Sequence, residues 1–209
     1  MNSLSSRRTM VAHGRLAMRE LRLDAARQQR HGVQIMSFEQ LAVRLAGGFA
    51  RPINDECLRS AIQAVLPGPT LGEMESIKLL PGMVAAAADT LHKAWRAGID
   101  LAARAGDHPR LDSIARLEAT VLAQLPPGMM RPTDLVGRAL QRIAHARKVL
   151  GPVEIVGITE LSPCWRPLLR ELTVHTPVSP TLSSTGKAMC SQQPRLSATA
   201  ARKCGPISI

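Results

Sequence analysis

Apolar positions along this chain repeat with two different spacings. Three short runs, at residues 9–12, 33–36 and 153–158, are apolar with few interruptions and predict strands, the last most strongly. Elsewhere the spacing is helical. Met18, Leu21 and Ala25 share one face of a stretch over residues 14–30, with Arg15, Arg19 and Arg22 on the adjacent face, and His31-Gly32 ends it. Ser37 with Gln40 reads as a capping box opening a helix that carries Phe38, Leu41, Ala42 and Leu45 and stops at Gly47-Gly48.

From Asn54 to about Leu150 every apolar stripe is helical. Asn54 or Asp55 caps a segment with Leu58, Ile62 and Val65, which Pro67-Gly68-Pro69 breaks. A further helix is expected up to Leu80, where Pro81-Gly82 interrupts. Val84, Ala87, Ala88, Leu91 and Trp95 form the next stripe, closed by Gly98. Leu111, Ile114, Leu117 and Val121 follow, ended by Pro126-Pro127-Gly128, and Thr133 is expected to cap a helix with Leu135, Ala139, Leu140 and Ile143. Gly151-Pro152 resets the pattern. Ser162-Pro163 starts a last helix carrying Trp165, Leu168, Leu169 and Leu172.

This order predicts a predominantly helical α/β chain in four parts. Residues 1–53 form an α/β segment, 54–150 an inserted helical subdomain and 151–178 a returning strand and helix. Residues 179–209 are expected to be a disordered tail. They are rich in Ser, Thr and Pro without periodicity, and no acid occurs from residue 172 onward.

Composition sharpens the functional side. Hydrophobic residues make up 45% and aromatics only 2%, with no Tyr. The core must therefore be aliphatic, and a stacking platform of exposed rings is not expected. Lys and Arg total 27 against 16 acids, a formal charge of +11. Such a balance favours DNA or another polyanion as partner. Cys57, Cys164, Cys190 and Cys204 are scattered without a CxxC pair, which argues against a zinc site or disulfide scaffold. No apolar run approaches the ~20 residues that span a bilayer, and Arg7-Arg8 is not followed by the apolar stretch of a secretory signal. The expected compartment is the cytoplasm, with no membrane partner.

Catalytic patterns are missing. A phosphate-binding loop needs GxxxxGK and then Ser or Thr, yet Gly186-Lys187 has Thr181 and Ala188 at the other two positions. A magnesium site at the end of the 153–158 strand needs an acid there, and the nearest are Glu154 within it and Glu160 beyond it. A PD-(D/E)xK nuclease centre needs an acid two residues before a Lys, and Lys78, Lys93, Lys148, Lys187 and Lys203 all lack one. His13, His31, His92, His108, His145 and His175 show no HExxH spacing, and no GxSxG is present. No catalysis, metal, cofactor or small-molecule substrate is therefore expected of the chain. The candidate binding residues are Arg15, Arg19 and Arg22 for a nucleic-acid backbone, with Ser37 and Phe38 at the next strand's end to meet a base.

Three phrases carry a family resemblance. They are Thr9-Met10-Val11-Ala12-His13-Gly14-Arg15-Leu16-Ala17; Val33-Gln34-Ile35-Met36-Ser37-Phe38-Glu39-Gln40-Leu41-Ala42; and Gly151-Pro152-Val153-Glu154-Ile155-Val156-Gly157-Ile158-Thr159-Glu160-Leu161-Ser162-Pro163. In this order they resemble the N-terminal part of AddB-like members of the PD-(D/E)XK nuclease family, over about residues 9–178. The resemblance implies a partial superfamily 1 helicase-like α/β layer. Residues 9–30 would stand for the strand and helix of motif Ia, Ser37-Phe38 for the usual Thr-Phe, and 153–158 for the strand that normally ends in the magnesium-binding acid. It implies a role in DNA-end processing for recombinational repair and a helicase–nuclease partner subunit. The P-loop and nuclease motifs are absent, so the chain reads as a truncated piece whose tail is what an out-of-frame translation would give. The competing expectation is a helical protein-interaction module with incidental charge.

Overall fold

The computed structural model describes residues 7–68 and 70–181. The elements run β1 (Arg8–Ala12), α1 (Arg15–Arg27), β2 (Val33–Met36), α2 (Phe38–Leu45), β3 (Arg51–Pro52), α3 (Asp55–Val65), α4 (Met83–Ala97), α5 (Pro109–Gln124), β4 (Met129–Met130), α6 (Pro132–Leu140), α7 (Ala146–Leu150), β5 (Val153–Val156), α8 (Arg166–His175) and β6 (Val178–Thr181), with short 3-10 turns between some of them.

Four strands form one parallel sheet in the order β2-β1-β5-β6. β1 is central, and Thr9 through Ala12 are all buried. Register places Thr9 and Val11 beside Val153 and Ile155, so these share a face. That face is covered by α2, α6, α7 and α8, whose Leu41, Leu45, Leu135, Leu150, Leu168 and Leu172 form its core. The opposite face, with Met10, Glu154 and Val156, meets α1 alone among the described residues, and no residue of α1 is fully buried. Glu154 is held there by Arg8 at 2.9 Å.

Two threonines tie the helical side to the sheet. Thr9 Oγ1 donates to the Leu150 carbonyl at 2.7 Å, and Thr176 Oγ1 to that of Gly151 at 2.8 Å. Gly151 sits at φ +66, and a Cβ there would run into the backbone carbonyl of Arg7. Only glycine fits this entry into β5.

A second core is built mostly from helices. Leu58, Ile62, Leu71, Leu91, Trp95, Leu117 and Val121 from α3, α4, α5 and the turn before α4 pack together. The two cores meet at a polar junction. Trp95 Nε1 of α4 donates to Glu118 Oε1 of α5 at 2.6 Å, and Arg131, just before α6, reaches the same oxygen at 2.8 Å. Arg131 also grips Asp134 with two bonds, of 2.9 and 3.0 Å.

Several expectations change. Within residues 54–150, α6 and α7 turn their apolar faces to the sheet core rather than to the other helices. The helix expected up to Leu80 is a 3-10 turn at Gly72–Met74 followed by further turns. α6 is entered through Arg131 and Pro132, with Thr133 inside its first turn rather than capping it. Residues 179–181, expected in the tail, continue from Val178 as strand β6, with Pro180 tolerated because β6 is an edge strand among the described residues. The rest of the expected tail, with Gly186-Lys187, lies outside the described residues. A mixed, mostly helical α/β fold with a small parallel sheet is what the chain forms.

Candidate functional site

β1 connects through α1 to β2 on one side, while β5 connects through α8 to β6 on the other, and the two helices lie on opposite faces of the sheet. The chain direction therefore switches between the adjacent strands β1 and β5. Outside the carboxyl ends of parallel strands, such a switch point opens a crevice, the usual ligand position in open α/β sheets. Here it is a cleft of about 700 Å³, floored by Ala12, His13, Ser37 and Ile158 and roofed by Asp89, His92, Lys93 and Arg96 of α4.

Its charge is mixed. Glu39, Asp55, Asp89 and Glu160 line it together with Lys93 and Arg96. Burial pushes the Glu39 carboxyl above its ordinary value, against the opposing pull of Arg96. Burial also lowers the His92 imidazole, helped by Arg96 and opposed by Asp55, whose Oδ1 lies 3.7 Å from Nε2. His92 stands edge-on to Trp95, with ring centres 5.7 Å apart. Beside the cleft, burial pushes the Cys164 thiol up to about 11. A thiol so held is protonated at neutral pH and is a poor nucleophile. Among the described residues, no group of three His, Cys, Asp or Glu could hold a metal ion.

The sequence-derived binding residues are only partly together. Arg15, Arg19 and Arg22 are exposed on α1. Arg22 leans over the edge strand β2 and donates to the Ile35 carbonyl at 3.4 Å. Ser37 is committed to α2. Its Oγ accepts from the Gln40 amide at 3.2 Å, and its own N–H donates to Gln40 Oε1 at 3.0 Å. Phe38 belongs to the core beneath the sheet, packed with Leu41 and Leu45. It also lines the crevice, with 7% of its surface exposed. Ser37 and Phe38 both line the crevice, whereas Arg15, Arg19 and Arg22 lie outside it on α1.

Sequence reasoning missed a second concave surface. A groove of about 600 Å³ follows the open edge of β2 between Arg22 of α1 and Arg44 of α2, with Ile35, Gln40, Val43 and Gly48 along it. Among the described residues, no carboxylate lines it. The signal for Arg44 was present in the sequence, on the polar side of the α2 stripe, but only the fold sets it across from Arg22.

No helix among the described residues is long and apolar enough to cross a membrane. No protein-family model matches the chain, and no curated protein gives a significant match to it.

Proposed function

We propose that this chain is a DNA-contacting portion of a helicase–nuclease-type DNA-repair protein, engaging DNA through α1 and the β2 edge, with no catalytic step assigned to its described residues. The observation that carries the reading is the groove walled by Arg22 and Arg44 and free of carboxylates among the described residues, continued on α1 by the exposed Arg15 and Arg19. Phosphate contacts of this kind supply sequence-independent affinity by releasing counterions. The formal charge of +11 and the three resemblant phrases lend further support.

The test is fluorescence anisotropy with labelled DNA at two ionic strengths, on the wild type and on Arg15→Glu/Arg19→Glu/Arg22→Glu. Binding that weakens steeply with salt, and that the triple variant loses, supports the reading. Absence of binding even at low salt removes it.

A second reading, a protein-interaction module, is favoured by Ile77, Leu79 and Leu80, which are exposed together in the turns before α4. Under it, Leu79→Ser/Leu80→Ser abolishes partner association while reversing the α1 arginines leaves association intact.

A further inference from the structure

We infer that the β2-edge groove and the loop beyond it form a track for single-stranded nucleic acid, on which Phe49 stacks an unpaired base while Arg22, Arg44 and Arg51 hold the flanking phosphates. The inference rests on the DNA-binding reading and adds the strand class and the stacking residue.

The chain has four aromatic side chains besides histidine. Phe38, Trp95 and Trp165 are 7%, 1% and 9% exposed, while Phe49 is 87% exposed. Leaving this ring in water forgoes the stabilisation that burial of the other three supplies. Its loop is fixed rather than merely left out of the core. Gly48 N–H donates to the Val43 carbonyl at 3.0 Å on one side, and Arg51 N–H donates to that of Gly128 at 2.9 Å on the other. Between these anchors the ring is held outward, next to Gly48, which itself lines the groove.

The surroundings are cationic. Arg44 and Arg51 are exposed on either side of Phe49 in the chain. Arg142 lies over the same loop, since a Cβ added at Gly47 would stand 2.5 Å from its guanidinium. A ring flanked by arginines, beside a groove that no carboxylate lines among the described residues, fits the general scheme of single-strand binding, a basic path for the backbone with an aromatic face for a base. A duplex offers no free base face, because its bases already stack on one another. A protein hot spot of the usual kind would surround the ring with apolar neighbours. An acidic peptide is the remaining rival, and it has no use for the ring's face.

The experiment measures anisotropy of labelled oligothymidylate and of a labelled duplex against the full chain, for wild type, Phe49→Ala and Phe49→Trp, with polyglutamate as competitor. Phe49→Ala is expected to weaken oligothymidylate binding about tenfold, the loss of roughly one stacked base, and to change duplex binding less than twofold. Phe49→Trp should retain affinity, and its added fluorescence should be quenched on binding. Thermal melts that match wild type show that the substitutions leave the fold intact, as expected at a side chain so exposed. Equal effects on both DNAs, an unaffected Phe49→Ala, unquenched emission from Phe49→Trp or polyglutamate competing as well as oligothymidylate would each overturn the track while DNA binding itself stands. No binding of either DNA at low salt overturns both readings.

Discussion

The crevice at the carboxyl ends of β1 and β5 and the groove along β2 lie a strand apart and differ in charge. Four carboxylates and two full cations line the first, whereas the second has Arg22 and Arg44 and, among the described residues, no acid. Topology singles out the crevice, since that is where an open α/β sheet leaves room for a ligand. Charge singles out the groove, because a polyanion entering the crevice would meet Glu39, Asp55, Asp89 and Glu160 without enough arginine to offset them. A chain with an excess of basic residues has thus gathered acids at the position where fold analogy alone would seat a nucleotide. The difference teaches that a position in a fold provides a cavity and the side chains select its occupant.

The largest effect is expected where the crevice roof is held. Glu118 is 3% exposed and accepts from both Trp95 and Arg131. Removing one partner of a buried ion pair leaves its charge uncompensated, so Arg131→Met should cost about 3 kcal/mol in chemical denaturation. Adding Glu118→Gln should recover most of that, because the neutral amide oxygen still accepts from Trp95 and no charge is left stranded. A single variant as stable as wild type would mean that the junction is not what holds α4 over the crevice.

Charge reversal sharpens the contrast next. Arg22→Glu/Arg44→Glu should lower DNA affinity at low salt on the order of 100-fold and reduce the slope of log K against log salt by about 2. Arg96→Glu, in the crevice, should change affinity less than about twofold if phosphates follow the groove, as proposed. If the Arg96 variant proves the more damaging, DNA runs through the crevice and the comparison is inverted.

Local signals made much of this architecture legible. Ser37 and Gln40 formed the expected capping box, Asn54 accepts from Cys57 N–H at 2.7 Å, and the apolar runs at 9–12, 33–36 and 153–158 coincide with β1, β2 and β5 to within two residues. Non-local features were hidden. β3 and β4 are two residues each and lie far apart in the chain, so no periodicity announces them. The stripes of α6 and α7 disclose that a face is buried without disclosing which core receives it. At the site, the two phenylalanines were distinguishable in principle. Phe38 falls on the stripe with Leu41, Ala42 and Leu45, as a core residue does, and Phe49 follows a Gly-Gly break off any stripe. The pairing of Arg22 with Arg44 across an edge strand needed the sheet order.

A smaller effect tests how closely the crevice wall is packed. Cys164 is buried under the end of α4, where a Cβ at Gly98 would lie 3.6 Å from its backbone, and its thiol is pushed up to about 11. In the native protein at neutral pH, iodoacetamide should modify the half-buried Cys57 well before Cys164, as read by peptide mass spectrometry. In Arg131→Met the order should narrow as the junction loosens. Fast labelling of Cys164 in the wild type would show that the crevice opens without help.

Glu39 gives the finest measure of the crevice's charge. It lies in the first turn of α2, where the helix dipole favours an anion; Arg96 favours the anion too, and burial outweighs Arg96 and raises the carboxyl above its ordinary value. The folded state therefore prefers Glu39 protonated. The stability this confers is fully present below the ordinary value of 4.5 and is lost as pH rises through the raised one. Glu39→Gln, neutral at every pH, should melt above wild type at neutral pH. The gap should close as pH falls below 4.5, where both side chains are uncharged. Comparing the two proteins at each pH cancels the other titrating groups. A variant less stable than wild type at neutral pH would mean that Arg96 and the dipole prevail. The carboxylate would then be a compensated anion rather than a burden, and the acids of the crevice would be better suited to holding a cationic ligand than to turning DNA away.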